Sequence, residues 1–300
     1  MLHEAVKTLL AGQNPDGGWG AVSGKKSNTE VTALATLALR SAGKEEARSA
    51  ARRGERWLLD RQNADGSWPL NERFKGGSWS TALAMIALIH AGTARERLVK
   101  AGRWALEQEG STLPILARLI MLLSFEKSAV RLNNDLIGWS WTPVAASWVE
   151  PTSYFLIALK KLKSDLAGNL FDQRIQQGEL MIYDRMCKDG GWNYGNSVVY
   201  GDPLLPYPDI TAVALVALQD HRERKENQLG LRALEEMARA TDSGLALSWS
   251  VLALSLYGRD GAEMERRLID RFLRTRFLGE HKAIALGILA MSKGAEYFRT

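Results

Sequence analysis

Two kinds of segment alternate along this chain, and they differ in how their apolar positions are spaced. In the first kind the apolar residues form one stripe. Ala5, Val6, Leu9 and Leu10, and later the stretch from Arg53 to Gln62, follow the spacing of a helix with one covered face. The second kind is apolar on nearly every side: TALATLAL at Thr32 to Leu39 and TALAMIAL at Thr81 to Leu88, with looser relatives at Thr152 to Leu159 and in the stretch ending at Leu218. A helix without a polar face must be covered all round. The striped segments are therefore expected as outer helices and the greasy ones as inner helices. Asn14-Pro15-Asp16-Gly17-Gly18 ends the first outer helix, because proline and paired glycines break the pattern. Gly43 suits a left-handed cap after the first inner helix.

The alternation is a repeat. Trp19 to Trp68 and Thr32 to Thr81 are both separated by 49 residues, the period that two helices and their loops require. The unit is most elaborate at Met186 to Leu218, and is written again at 13–39, 62–88 and 138–159. Between these lie an outer helix at Glu96 to Gln108, an apolar helix at Leu113 to Phe125, and an outer helix at Gln176 to Met186. Leu229 to Ala240 with Leu245 to Tyr257, and Ala262 to Arg276 with His281 to Met291, complete the chain. The pattern predicts about twelve helices in roughly six hairpins, with no convincing strand. The units fall at about 4–43, 51–92, 95–125, 133–163, 175–220 and 226–294 of one domain. The expected fold is all-α, an (α/α) toroid with inner and outer rings. An open solenoid would need a more polar face on its inner helices.

Composition changes this picture little. The chain is 46% hydrophobic and 24% charged, as globular proteins are. Its charge of +5 is scattered over helix faces at 48–61 and 266–276, which read as solvated surfaces and not as a nucleic-acid footprint. Cys187 is the sole cysteine, so no intrachain disulfide can form. The opening MLHEAVKTLLAGQ lacks a secretory apolar run, and Leu113 to Leu123 is too short to span a bilayer. The expectation is a cytoplasmic protein, with association at a membrane surface kept open. No GxxxxGK[ST] or GxGxxG stretch suggests nucleotide chemistry.

Candidate chemistry lies at the starts of the inner helices. Two residues before each repeat threonine stand Glu30, Trp79, Glu150 and Asp209. An acid there meets free N–H groups and the positive end of the helix dipole, which explains it structurally. In a closed ring the inner helices run parallel, so the three carboxylates would also gather at one mouth. Like charges against an apolar wall raise a carboxyl pKa. In the Asp-Gly-x-Trp loops at 16–19, 65–68 and 189–192, Asp and Gly supply the turn. Each tryptophan is expected to lie across its outer helix with its indole N–H on a carbonyl, while Gln13 and Gln62 bond the next repeat.

The stretches QNPDGGW at 13–19 and QNADGSW at 62–68 resemble the QW motifs of the squalene-hopene cyclase and prenyltransferase repeat superfamily. The likeness implies the toroid and an isoprenoid ligand. Class II terpene cyclases in this superfamily protonate their substrate with the middle aspartate of Asp-x-Asp-Asp, followed by Thr or Ser. The matching stretch is YPDIT at 207–211, which puts the donor on Asp209, while Tyr207 and Ile210 stand where the flanking acids belong. The resemblance thus implies Asp209 as candidate acid with Glu150 and Tyr207 beside it. Glu30, Trp79, Trp139, Trp141, Trp148, Tyr154, Trp192, Tyr194 and Trp249 are expected to contact substrate, the aromatic members sheltering carbocations.

No cofactor is expected. The zinc of protein prenyltransferases is argued against, because Asp184 and Cys187 have the wrong spacing and none of the four histidines follows in a suitable context. Two other readings stay open. One is a lipid-binding or interaction module without catalysis, favoured by the missing flanking acids. The other is a glycoside hydrolase using Glu150 with Asp209. A partner domain or subunit completing the site also remains open.

Overall fold

The computed structural model describes residues 1–92, 94–109, 132–133, 135–142, 145–166 and 168–300. The apolar helix expected at Leu113 to Phe125 lies outside them. Twelve helices organise the described chain. The outer ones are α1 (Leu2–Ala11), α3 (Glu45–Asp60), α5 (Arg95–Glu107), α7 (Asn169–Asp184), α9 (Lys225–Ala240) and α11 (Ala262–Thr275). The inner ones are α2 (Thr29–Ser41), α4 (Ser80–Ala91), α6 (Val149–Lys161), α8 (Pro208–Ala217), α10 (Gly244–Leu256) and α12 (His281–Met291). A two-residue antiparallel ribbon, Val198–Val199 with Asp202–Pro203, decorates the loop before α8.

Each inner helix packs on the next: α2 on α4, α4 on α6, α6 on α8, α8 on α10, α10 on α12, and α12 back on α2. The ring is closed, which makes the fold an (α/α) toroid and not an open superhelix. His281 at the start of α12 fastens the seam. Its backbone N–H donates to the Ala21 carbonyl at 2.8 Å, and its Nδ1 meets the Gly20 carbonyl at 2.8 Å. At the other end Ser41 and Ser292 hydroxyls meet at 2.6 Å. Burial follows the sequence pattern. Every residue from Ser80 to Leu88 in α4 is buried, whereas α3 buries one stripe that includes Ala47, Ala51, Trp57 and Leu58.

One clamp recurs at four joints. The backbone N–H of Trp19, Trp68, Trp139 and Trp192 donates to the hydroxyl of Thr32, Thr81, Thr152 and Thr211 at 2.8–3.0 Å. The same hydroxyls donate back to the tryptophan carbonyls at 3.1–3.4 Å. A single buried Oγ1 thereby meets both main-chain groups of a buried tryptophan. The carbonyl also accepts from a backbone N–H, but the tryptophan N–H left without the hydroxyl would cost about 1–3 kcal/mol. The four indole N–H groups donate to Leu9, Leu58, Ala105 and Ile182 carbonyls at 2.6–2.8 Å. Gln13 and Gln62 reach Ala50 and Arg97 carbonyls of the next outer helix, as expected.

Ala105 accepts the Trp139 indole N–H across 34 residues. It sits in α5 at the place Leu9 holds in α1, so α5 is the outer partner of α6. The sequence suggested two separate units at 95–125 and 133–163. Among the described residues the Trp139 clamp joins α5 to α6, and the rest of the 95–125 unit lies outside them.

Three of the clamp tryptophans lie against a glycine of the next outer helix. A Cβ at Gly54, Gly178 or Gly230 would stand 2.9, 2.8 or 2.6 Å from the Cζ3 of Trp19, Trp139 or Trp192. Alanine ordinarily stabilises a helix interior by up to ~1 kcal/mol over glycine. Here overpacking, at ~1–3 kcal/mol, outweighs that gain. Gly178→Ala and Gly230→Ala are expected to lower the thermal midpoint, and a rise in either variant would contradict the indole-on-backbone contact.

Candidate functional site

The clamp fixes four inner helices in the same sense, and closure of the ring through α10 and α12 brings the helix starts to one mouth. Around it stand Glu30 of α2, Trp79 just before α4, Glu150 of α6, Asp209 of α8, Leu245 of α10 and Lys282 of α12. Lys282 was not foreseen. Its Nζ lies 2.5 Å from Glu30 Oε1 and 3.9 Å from Glu150 Oε1. An ammonium at a helix N-terminus opposes the dipole, and the two carboxylates facing it from α2 and α6 compensate. Burial alone would pull Lys282 down, but Glu30 and Glu150 hold it well above the ordinary lysine value.

Glu150 is the most perturbed acid of the mouth. Burial pushes its carboxyl from 4.5 up to about 7. Lys282 opposes the rise, the negative charges of Glu30 and Asp209 add to it, and the Tyr154 hydroxyl, donating to Oε1 at 3.0 Å, moderates it. Tyr154 is fully buried, so its phenol is held neutral by burial first and by the Glu150 charge next. Asp209 is half-buried in the first turn of α8, and its charge reaches Glu150, Tyr154 and Tyr194. Tyr207 precedes α8, with its N–H on the Trp192 carbonyl at 2.9 Å. Its ring and that of Tyr194 lie 5.7 Å apart, both about half exposed at the rim.

Below the carboxylates runs a column of rings. Trp141 meets the edge of Trp79 at 4.9 Å, Trp79 stacks on Tyr154 at 6.0 Å, Tyr154 tilts on Trp249 at 6.1 Å, and Trp249 meets Phe298 at 5.1 Å. Tyr154, Trp249 and Phe298 are buried, so side chains fill the bore here. The cleft that Trp79 shares with Trp104, Trp139, Trp141 and Phe155 holds only about 20 Å³, room for a water and far below the ~300 Å³ of ligand sites.

The other aromatic residues expected at the site have structural partners. Trp139 and Trp192 are clamp indoles, and the Arg174 guanidinium covers the Trp139 ring at 3.7 Å. Trp148 caps α6, and its N–H donates to the Trp139 carbonyl at 3.0 Å.

Away from the mouth, Asp184 is paired with Arg185, and burial raises the Cys187 thiol. Glu179, Asp220 and His221 lie close enough to share an ion. However, the Lys160 ammonium already binds two of the three, 2.6 Å from Glu179 and 2.7 Å from Asp220.

Comparison with known proteins places this architecture. Residues 1–78 match the family model of the squalene-hopene cyclase C-terminal domain. In fold, the chain resembles type II terpene cyclase MstE from Scytonema, solved in complex with geranylgeranyl dihydroxybenzoate as substrate. The TM-score is 0.63 at 14% identity, over 99% of this chain and 96% of that one. It also resembles cellobiose 2-epimerase from Spirochaeta thermophila, at TM-score 0.59 and 12% identity over 98% and 97%. An alpha-1,6-mannanase of Salegentibacter follows at 0.60 and 11%, over 99% and 100%. No curated protein matches in sequence. The chain has a class II terpene cyclase-like toroid, and among the described residues no helix is long and apolar enough to cross a membrane.

The raised carboxyl has a measurable consequence. Between pH 4.5 and about 7 the folded chain keeps a proton at Glu150 that the unfolded chain has released. Stability from this group is therefore whole at low pH, falls through that window, and levels out above it. Glu150→Gln removes the slope. At ~1.4 kcal/mol per pH unit, denaturation from pH 5 to 8 should show the variant gaining on the native chain. Parallel curves would contradict the raised value.

Proposed function

We propose that this chain handles an apolar isoprenoid ligand at the N-terminal mouth of its toroid, with Glu150 as the proton-bearing acid. The observation that carries this reading is the carboxyl near neutral pKa, set among Asp209, Tyr154 and the Trp79–Trp141 pair. A general acid works best with a pKa near the operating pH, and aromatic faces beside it stabilise cationic character. Asp209, the position to which the class II resemblance assigns the donor, is on this reading a neighbour whose charge adds to the burial that raises Glu150. Tyr207 and Tyr194 form the polar rim. The geranylgeranyl substrate of the Scytonema cyclase supports the choice of ligand class.

The ring-filled bore favours a second reading, in which the toroid binds an isoprenoid or a partner without turning anything over. Exposed Tyr200 and Leu205, in the loop before α8 at the same end of the ring, support delivery of the ligand from a membrane surface or a partner.

Incubation with linear C15–C20 polyprenes and their diphosphates separates the two. Loss of a general acid costs ~10²–10⁴ in rate, so Glu150→Gln is expected to abolish product formation at unchanged ligand binding. Asp209→Ala should lower the pH at which activity fades, because removing its charge lets Glu150 ionise earlier. Saturable binding with no product from the native chain would establish the silent module. Product formation that survives Glu150→Gln would remove the acid from the account.

A further inference from the structure

The end of the bore opposite the carboxylates is closed by a short turn, Gly294–Phe298, that follows α12. What holds this turn differs from ordinary core packing. Three consecutive main-chain carbonyls are each met by a side chain from a different part of the ring. His90 Nε2 of α4 reaches the Tyr297 carbonyl at 2.8 Å, and Gln219 Nε2, just past α8, donates to the Phe298 carbonyl at 2.9 Å. Lys161 Nζ, at the end of α6, donates to the Arg299 carbonyl at 2.6 Å. The turn also packs on α2, α4, α10 and α12. Phe298 is fully buried with its ring 5.1 Å from that of Trp249, and Tyr297 lies edge-on to His90 at 4.7 Å. Glu296 and Arg299, whose side chains pair with each other, stay exposed.

Side-chain donors on backbone carbonyls give affinity without reading sequence, while a pocket for one aromatic side chain supplies selectivity. That division of labour is how proteins recognise peptides. We propose that the C-terminal end of the bore is a peptide-recognition site, and that the Gly294–Phe298 turn is its built-in ligand. The peptide class is an aromatic pair, with the second aromatic as anchor. The site is independent of the isoprenoid reading, since it lies at the other end of the ring.

The test uses the full-length chain carrying Phe298→Ala, which weakens the internal ligand in place, and a fluorescein-labelled peptide GAEYFRT. Fluorescence anisotropy should show saturable binding to the variant, at least tenfold weaker binding to the native chain, and at least a tenfold loss when the peptide itself carries alanine for phenylalanine. Adding Gln219→Ala to the variant chain should weaken binding again. Circular dichroism reports the fold throughout. If Phe298→Ala unfolds the chain, excess peptide should restore the helical signal. Three results would overturn the proposal: a folded variant that ignores the peptide, equal binding to variant and native chains, or an unfolded variant that the peptide does not restore.

Discussion

The structure depends on one buried hydroxyl per joint. Thr32, Thr81, Thr152 and Thr211 each hold both main-chain groups of a tryptophan that is itself anchored on an outer helix. This contact fixes how far each inner helix sits from its loop and which way it runs. Four joints made alike give parallel inner helices with matching ends. Closure of α12 on α2 then turns that matching into convergence. Six helix N-termini meet at one mouth, and residues far apart in sequence, such as Glu30 and Lys282, become an ion pair.

Convergence has an electrostatic cost that the mouth resolves unevenly. Positive helix ends welcome carboxylates, but three acids close together repel, and burial penalises their charge. Lys282 neutralises Glu30 at close range and stands farther from Glu150. Burial first, less fully offset by the more distant ammonium, raises the Glu150 carboxyl. The arrangement gives two chemically identical side chains different surroundings, one tightly ion-paired and one buried with a raised carboxyl.

Much of this was legible in the sequence, for a physical reason. All-round apolar segments can only be inner helices, and a repeated loop with tryptophan and threonine at a constant offset implies a repeated contact. The closed ring, the buried indoles, the glutamine bonds and the gathering of Glu30, Glu150 and Asp209 follow from those patterns. The pairing of α5 with α6 did not, because the stretch between them hides the spacing from Ala105 to Trp139. Lys282 escaped notice because α10 and α12 lack the tryptophan–threonine clamp that aligns the other four. Only its place as second residue of α12 gives it away. The closing turn was illegible for another reason: its carbonyls are what the ring recognises, and every residue has one. The loop pattern favoured a clamp role for Trp192, with a pocket wall as the alternative, and offered Trp139 only as a pocket wall. Both indoles bond outer-helix carbonyls, Ala105 and Ile182.

Assembly of the mouth, on which the convergence of the inner helices depends, is read directly by the side-chain titration of Glu150. Carbon-detected NMR of the labelled carboxyl should give a midpoint near 7 in the native chain, moving higher in Lys282→Met as the opposing ammonium is lost. A midpoint near 4.5, unmoved by Lys282→Met, would mean that Glu150 is solvated and alone and that the inner-helix starts do not converge.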